Sequence, residues 1–595
     1  MIYANGNIMR ATYNGYGQLI AEKWYSAATD AEPEAHYRYV YDNSGNIVRY
    51  IDIKEEKEYN YTYEEGRIVR AAEYGITLDG SLNVTAKTLI SSIEYAYNSK
   101  GLLSKKTVVV GDTQAVYYTE YPENASPVIK LTVNGKTAEC HSKTDSFGRK
   151  VFDELRLGTG FVSRQFSYHA GKATEEHKKN GKLKSSPTTN LVSQIVLSDG
   201  GTLSYAYDAE ERITSVIETY VIDEATVTNT TAYTYDEMGR LLTETVNGTA
   251  VNTMTYDAYG NILTKNGVSY EYDSVWKDRL KQVGTELTVE YDDQGNPINY
   301  LGHTLNWEKS RQLKSFDNNT YAYNANGIRT SKTVNGIKHS FALDGSKILR
   351  EEWCGNTLIP LYDNADGVCG IMYNGQHYFF LKNLQGDVIA ITDSNGDTVA
   401  RYSYDAWGAC TVTQDSSNRS IATVNPYRYR GYYFDSETEL YYLQSRYYDP
   451  SVGRFINADA PDYVAIQGGN LFAYCGNNPV MHTDPTGNFV LSLTALILIG
   501  FGVSAAISAG ASIISQGIDK GWSNINWWQV GLDGLIGGIS GAFAMSGLGA
   551  IALGGIGAGL GFVGGLGGAL LNGDDLGAWQ TWVSIGFTTL IGGVA

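Results

Sequence analysis

Up to Asn488 the chain alternates apolar and polar residues in short runs, each broken by Asp, Gly or Asn. One unit recurs. Tyr233-Thr234-Tyr235-Asp236 is followed by Gly239-Arg240-Leu241, Tyr256-Asp257 by Gly260-Asn261-Ile262-Leu263, and Tyr41-Asp42 by Gly45-Asn46-Ile47-Val48. Looser copies stand at Tyr63, Tyr97, Tyr207, Tyr272, Tyr291, Tyr323 and Tyr404. A period of two predicts a strand with one buried face. Gly and Asn tolerate positive φ, so the Asp to Gly-Asn or Gly-Arg step predicts a tight turn, and the apolar pair opens the return strand. From Tyr207 to Tyr291 the copies recur every roughly 16 to 28 residues, the spacing of stacked repeats. Each unit is a hairpin that cannot bury its apolar face alone, so neighbours must stack. Tyrosine, present 46 times, suits such a wall: the ring packs and the hydroxyl finds a polar partner.

The pattern changes twice. Asn425 to Asn488 is dense in Tyr and Arg and punctuated by turns: Ser445-Arg446-Tyr447-Tyr448-Asp449-Pro450, Gly453-Arg454-Phe455, Asn477-Asn478-Pro479 and Asp484-Pro485-Thr486-Gly487. After Asn488 the chain is Gly-rich and nearly uncharged. The expected domains are therefore 1–424, a repeat shell; 425–488, a compact core; and 489–595, an apolar helical segment.

The repeats resemble the YD-repeats of the RHS family, and 425–488 resembles the RHS-repeat-associated core. The resemblance covers most of residues 1–488. It implies an all-β fold in which hairpins form one long sheet spiralling into a hollow shell, with the core plugging one end and a variable C-terminal cargo, often a toxin, enclosed. Wall-associated polymorphic toxins and the C subunits of insecticidal toxin complexes share this plan, while teneurins use the shell for adhesion.

In the toxin-complex members the core resembles an aspartic autoprotease that cuts just after its DPxG motif. Carried over by motif, its residues fall on Arg446, on Asp459 after Gly453-Arg454-Phe455, and on Asp484 of Asp484-Pro485-Thr486-Gly487, with cleavage expected after Asn488 or Phe489. Two neighbouring carboxylates share a proton, so one activates water and the other polarises the scissile carbonyl. An arginine holds one of them ionised. The family often has Pro where this chain has Ala460, and Leu or Met where it has Asn488. Asp462 is a rival for the first acid, and His482 stands two residues before Asp484. The same residues also read structurally: Asp-Pro-x-Gly is an ordinary turn, Asp459 a cap, and Arg446 and Arg454 plug residues paired with acids of the wall.

The stretch 489–514 has no charged residue and is long enough to span a bilayer as a helix. Trp522 to Trp528 is an aromatic group of the interfacial kind, and from Gly534 to Gly573 small residues recur at helix-packing spacings. It reads as a segment that carries a cargo across a membrane, as one packed inside the shell, or as a permanent anchor. All eight His lie upstream of it, so a metal or His-dependent enzyme cannot be built there.

A net charge of −18 disfavours nucleic-acid binding by the shell, and Lys178, Lys179, Lys182 and Lys184 read as a local solvated patch. Five cysteines without a CxxC pair argue against a zinc site; Cys354 and Cys369 are close enough in sequence to pair. No cofactor or metal is expected. Met1 opens directly on a repeat, without a secretory signal, as if it lay inside a longer parent protein.

The expected function is containment and delivery of a toxin cargo in competition between bacteria, by a secreted or cell-surface protein. Its partners would be its own C-terminal segment, an immunity protein, cell-surface carbohydrate, and a target membrane met through 489–595. The alternative is a non-enzymatic surface protein whose repeats bind carbohydrate or another cell.

Overall fold

The computed structural model describes residues 1–459, apart from 100, 112, 122–127, 134, 148, 172–177, 180–181, 184–187, 223 and 364–366, and then 470–488 and 490–492. Its main feature is one 36-stranded sheet. Ile8–Tyr13 pairs antiparallel with Leu19–Tyr25, that strand with Ala35–Tyr41, and so on to Thr398–Tyr404 and Cys410–Asp415. The lysine-bearing hairpin Lys178–Lys179 and Lys182–Leu183 stands outside this sheet, between Gly160–Ala170 and Thr188–Leu197.

The repeat unit explains its own sequence. Asp257 Oδ1 accepts the backbone N–H groups of Tyr259 and Asn261, each at 2.8 Å. Gly260 takes φ +76°, where a side chain would be strained. The Asn261 amide donates to Asp257 Oδ2 at 2.8 Å and onward to the Lys277 carbonyl of the next turn at 2.9 Å. Where arginine replaces that Asn, the same two tasks are done. Arg240 Nε donates to Asp236 Oδ2 at 2.6 Å, and its Nη1 reaches the Asp257 carbonyl at 2.9 Å while the guanidinium lies 4.6 Å from the Tyr256 ring centre. Both residues tie one turn to the next.

The tyrosine does the same across the strands. The Tyr256 hydroxyl donates to the Leu241 carbonyl at 2.6 Å, Tyr272 to Ile262 at 2.8 Å, Tyr235 to Ile213 at 2.6 Å and Tyr41 to Leu19 at 2.8 Å. Each acceptor opens the return strand of the preceding unit. Tyr63, Tyr97, Tyr362 and Tyr404 repeat the bond, and Trp307 Nε1 makes it to the Pro297 carbonyl.

The sheet coils back on itself. Ser310 donates to Asn7, 303 residues away; Tyr95 donates to Asp344, 249 away; Arg164 to Asn383, 219 away; Arg401 to Asp199, 202 away; and Asn252 to Asp405, 153 away. The sequence separation of the partners falls along this crossing, from 303 to 153 residues. At the last crossing the Asn252 amide bridges the buried Glu244, at 2.7 Å, and the half-buried Asp405, at 2.9 Å. The Ala406 N–H also donates to Glu244, at 2.9 Å. Burial, reinforced by the Asp405 charge, pushes the Glu244 carboxyl up to about 7.

The sheet ends at Cys410–Asp415. A short helix, Ile421–Val424, turns the chain into a four-stranded sheet of Tyr433–Asp435, Leu440–Tyr442, Tyr447–Asp449 and Arg454–Phe455. This unit packs against the wall strands. Arg329 of the wall makes a two-pronged pair with Asp435, at 2.6 and 3.0 Å, and Lys332 adds a contact at 2.9 Å. Burial would raise Asp435, but the two cations outweigh it and hold the carboxyl below its usual range.

The following segment reads successive repeat turns. Asn478 donates to the Gly239 carbonyl at 2.7 Å, Asn477 to Gly260 at 2.8 Å, Arg454 to Asp278 at 2.6 Å, and the Ala458 N–H to Gly295 at 3.1 Å. Arg454 therefore meets a wall carbonyl rather than a wall acid. Gly453 admits the close approach of the core: a Cβ there would lie 2.9 Å from the fully buried Trp407 ring.

The helical and membrane-inserting reading of 489–595 falls outside the described residues, except for 490–492. Among the described residues no helix is long and apolar enough to cross a membrane. The pairing of Cys354 and Cys369, open from sequence, is not formed: all five cysteines are free, and Cys354 is exposed in the turn that follows Lys347–Trp353.

Two outcomes follow for stability. Tyr256→Phe removes one stitching bond and leaves the Leu241 carbonyl without its donor; a loss of about 1 kcal/mol is expected in urea unfolding. Glu244 binds its proton more tightly folded than unfolded. Its stabilising contribution is complete below its ordinary pKa of 4.5 and is lost as pH rises through about 7. The unfolding midpoint of Glu244→Gln should therefore gain on wild type between pH 5 and pH 8, by up to about 3 kcal/mol; equal slopes against pH would remove Glu244 as the cause.

Candidate functional site

The core brings Arg446, Asp459 and Asp484 together, although Asp484 lies 38 positions after Arg446. Arg446 precedes Tyr447–Asp449, and Asp459 follows Arg454–Phe455, which pairs with that strand. Asp484 follows His482–Thr483, which pairs with Leu491–Ser492. These two strands form a hairpin, and the Asp484-Pro485-Thr486-Gly487 turn lies between them.

All three side chains are at most 2% exposed. Arg446 Nη2 lies 3.0 Å from Asp459 Oδ2 and 3.4 Å from Asp484 Oδ2. Nη1 donates to the Leu471 carbonyl at 3.0 Å, Nε donates to the Gly487 carbonyl, and the guanidinium lies 3.5 Å from the Phe455 ring centre. Burial pulls the Arg446 guanidinium down, against the two carboxylates that favour its charge. One cation therefore sits between two acids and grips the backbone at the end of the DPTG turn.

That turn is held tightly. Ser445 Oγ donates to the Thr486 carbonyl at 2.7 Å. Gly487 takes φ +76°, and a Cβ there would fall 2.7 Å from Ser445 Oγ and 2.9 Å from the Leu443 carbonyl, so only glycine fits. The Asp484 N–H donates to the Tyr432 hydroxyl oxygen at 3.0 Å. Burial, with the Asp484 charge adding, pushes the Cys475 thiol well above its usual range.

Asn488 is half-buried directly after Gly487; Phe489, Ala460 and the rival acid Asp462 lie outside the described residues. His482 faces away from this chemistry in its hydrogen bonding: its Nδ1 meets the Cys475 carbonyl at 3.2 Å, and burial lowers its pKa.

Several neighbours were not singled out in the sequence. Arg311 of the wall donates to the Ala458 carbonyl and lies close enough to Asp459 to feel its charge. Its separation of 147 residues leaves no local signal. Ser445 could have been found, since it adjoins Arg446. Tyr432 is one of many core tyrosines and has no distinguishing context. Among the described residues no group of His, Cys, Asp and Glu is arranged to hold a metal ion.

A family model described as Teneurin YD-shell matches residues 188–480. The chain is 37% identical over 277 residues to the tRNA3(Ser)-specific nuclease WapA of Bacillus spizizenii, covering 43% of this chain and 12% of that protein. It is 25% identical over 293 residues to the toxin subunit YenC1 of Yersinia entomophaga, covering 43% of this chain and 28% of that one. It also aligns with the crystal structure of TcdB2-TccC3 without its hypervariable C-terminal region, over 81% of this chain and 30% of that chain, with a TM-score of 0.41 and 16% identity. The chain therefore spans only a small part of the first of these relatives. In its stitched tyrosine–aspartate turns and its match over residues 188–480, this chain is similar to RHS/YD-repeat proteins.

Proposed function

We propose that this chain is the shell-and-core part of a bacterial RHS polymorphic toxin, which encloses and delivers a toxin cargo lying beyond the core. The observation that carries the reading is the turn 484–487: the chain leaving the core is held at the Gly487 carbonyl, beside two buried aspartates and their shared arginine. Relatives whose names describe a tRNA nuclease and a toxin subunit support it. The protein acts outside the cell that makes it. The cargo's immunity protein, cell-surface carbohydrate and a target membrane met by 489–595 are the further partners of this reading.

In the proposed step, Asp459 and Asp484 form the acid pair. One, held ionised by Arg446, takes a proton from water. The hydroxide adds to the carbonyl carbon of the bond after Asn488 or Phe489, while the other acid protonates its oxygen. Collapse breaks the C–N bond, and the leaving nitrogen takes a proton. One water is consumed, and a carboxylate and an amine are released. Burial in the closed end of the shell limits the reaction to one cut in cis.

One observation favours a second reading, an inert plug in a YD-repeat surface protein. A single guanidinium nitrogen contacts both acids, the arrangement of a structural ion cluster.

Intact mass and a denaturing gel of the purified chain separate the two. A split after Asn488 or Phe489, absent in both Asp459→Asn and Asp484→Asn, is expected. An uncut wild-type chain with a folded shell would instead establish the plug. Arg446→Met leaves two buried acids without their shared cation, and should cost the core about 3–5 kcal/mol in urea unfolding whichever reading holds.

A further inference from the structure

Two turns of the wall hold one residue of the core. The Ala458 N–H donates to the Gly295 carbonyl at 3.1 Å, and the Ala458 carbonyl accepts a hydrogen bond from Arg311 Nη1. That carbonyl belongs to the Ala458–Asp459 peptide, whose N–H donates to the Leu471 carbonyl at 3.0 Å. The peptide that leads into Asp459 is therefore fixed at both its polar atoms, one by the wall and one by the core. Leu471 is shared in the same way. Its carbonyl also accepts Arg446 Nη1 at 3.0 Å, and its N–H donates to Asp278 Oδ2 of the wall at 2.7 Å. Ala458 is fully buried, and a Cβ on Gly295 would lie 2.9 Å from the Ala458 Cβ.

Both wall turns are clamped by one segment 287 to 305 residues earlier. The Asn5 amide donates to Asp292 Oδ2 at 3.2 Å and to the Ser310 carbonyl at 3.3 Å. Asn7 Oδ1 accepts the Ser310 N–H at 2.9 Å. The Asn296 amide joins the two turns, donating to the Ser310 carbonyl at 2.7 Å. Arg311 follows Ser310 directly, between the strands His303–Glu308 and Gln312–Phe316. Lys309 and Ser310 take φ +46° and +75°, a backbone held by its surroundings rather than by preference. Asn5 and Asn7 thus set where Arg311 leaves the wall.

Arg446 touches both acids with one nitrogen and does not distinguish them. Arg311 does, because it meets the peptide of Asp459 alone. Burial pulls its guanidinium down, and the Asp459 charge opposes this. The charged groups around Asp459 are Arg446 and Asp484 from the core and Arg311 from the wall, with Asp292 behind Arg311 and Asp278 behind Leu471.

We propose that Arg311 is a positioning residue for the cut: it fixes the Ala458–Asp459 peptide and marks Asp459 as the ionised acid, which leaves Asp484 as the proton donor. Because Asn5 and Asn7 place Arg311, the cut waits until the coil has closed on itself. A chain whose wall is incomplete lacks the second cation and keeps its cargo attached. This inference rests on the autocleavage reading above.

The test uses the full chain made by cell-free synthesis. Synthesis is stopped, aliquots are moved to buffers from pH 5 to pH 8, and the uncut fraction is followed on a denaturing gel. Arg311→Met should slow the cut by roughly 10- to 100-fold and move the acid limb of its pH profile upward, since Asp459 then ionises without its second cation. Arg311→Lys should restore the acid limb and part of the rate. Asn7→Ala should also slow the cut, and should add little to Arg311→Met if it acts through Arg311. Circular dichroism checks that each variant keeps its sheet; if Arg311→Met does not fold, Arg311→Lys and Asn7→Ala decide, and wild-type rates in both overturn the proposal. A wild-type chain that is cut, with Arg311→Met cut at the same rate and pH dependence, overturns this proposal alone. Full additivity of Asn7→Ala and Arg311→Met overturns the delivery by coil closure. A wild-type chain that stays uncut overturns the autocleavage reading, and this inference with it.

Discussion

A tyrosine hydroxyl donating to the first carbonyl of the preceding return strand is the contact on which this shell depends. A lone hairpin is marginal in water because it exposes one apolar face and two edges. The bond from Tyr256 to Leu241, repeated from Tyr41 to Tyr404, fixes the distance between units and satisfies a backbone acceptor at each step. Its counterpart at the turn is the Asp to Asn or Arg pair, which reaches forward to the next turn as the tyrosine reaches back. The repeat sequence is thus a two-way stitch, and Trp307 shows that any ring with a donor at its far end can serve.

A stitched sheet still has an inner face and an open end. The core docks on the wall through a charged anchor and amide contacts. Arg329 and Lys332 of the wall converge on Asp435, so neither the cations nor the acid is buried alone. Asn477, Asn478 and Arg454 take up carbonyls of consecutive turns, which gives the core a defined register on the rim. The same regularity that builds the wall therefore provides a ladder of acceptors for the core.

Within the core the decisive constraint is Arg446. Its guanidinium joins two acids and the backbone of the DPTG turn in one buried cluster. The cluster explains why Gly487 has no room for a side chain, since Ser445 and Leu443 press on the same turn. Order at this point and the proposed chemistry share one cause: the chain leaving the core cannot move away from the acids without breaking the arginine's contacts.

The amino-acid sequence alone determined the hairpin unit, its turn and the all-β shell, because each of these is local: period two, Asp before Gly-Asn, an aromatic with a polar tip. It also marked Arg446, Asp459 and Asp484 through short motifs, though not whether they meet. Only the tertiary structure decided what lies far apart in sequence: which turns of the coil touch, that Arg311 stands beside Asp459, and that Glu244 and Asp405 share one amide. The physical reason is that coil contacts depend on how many strands make one turn. That number is set by the summed twist and length of every strand between two residues, and no single segment carries it.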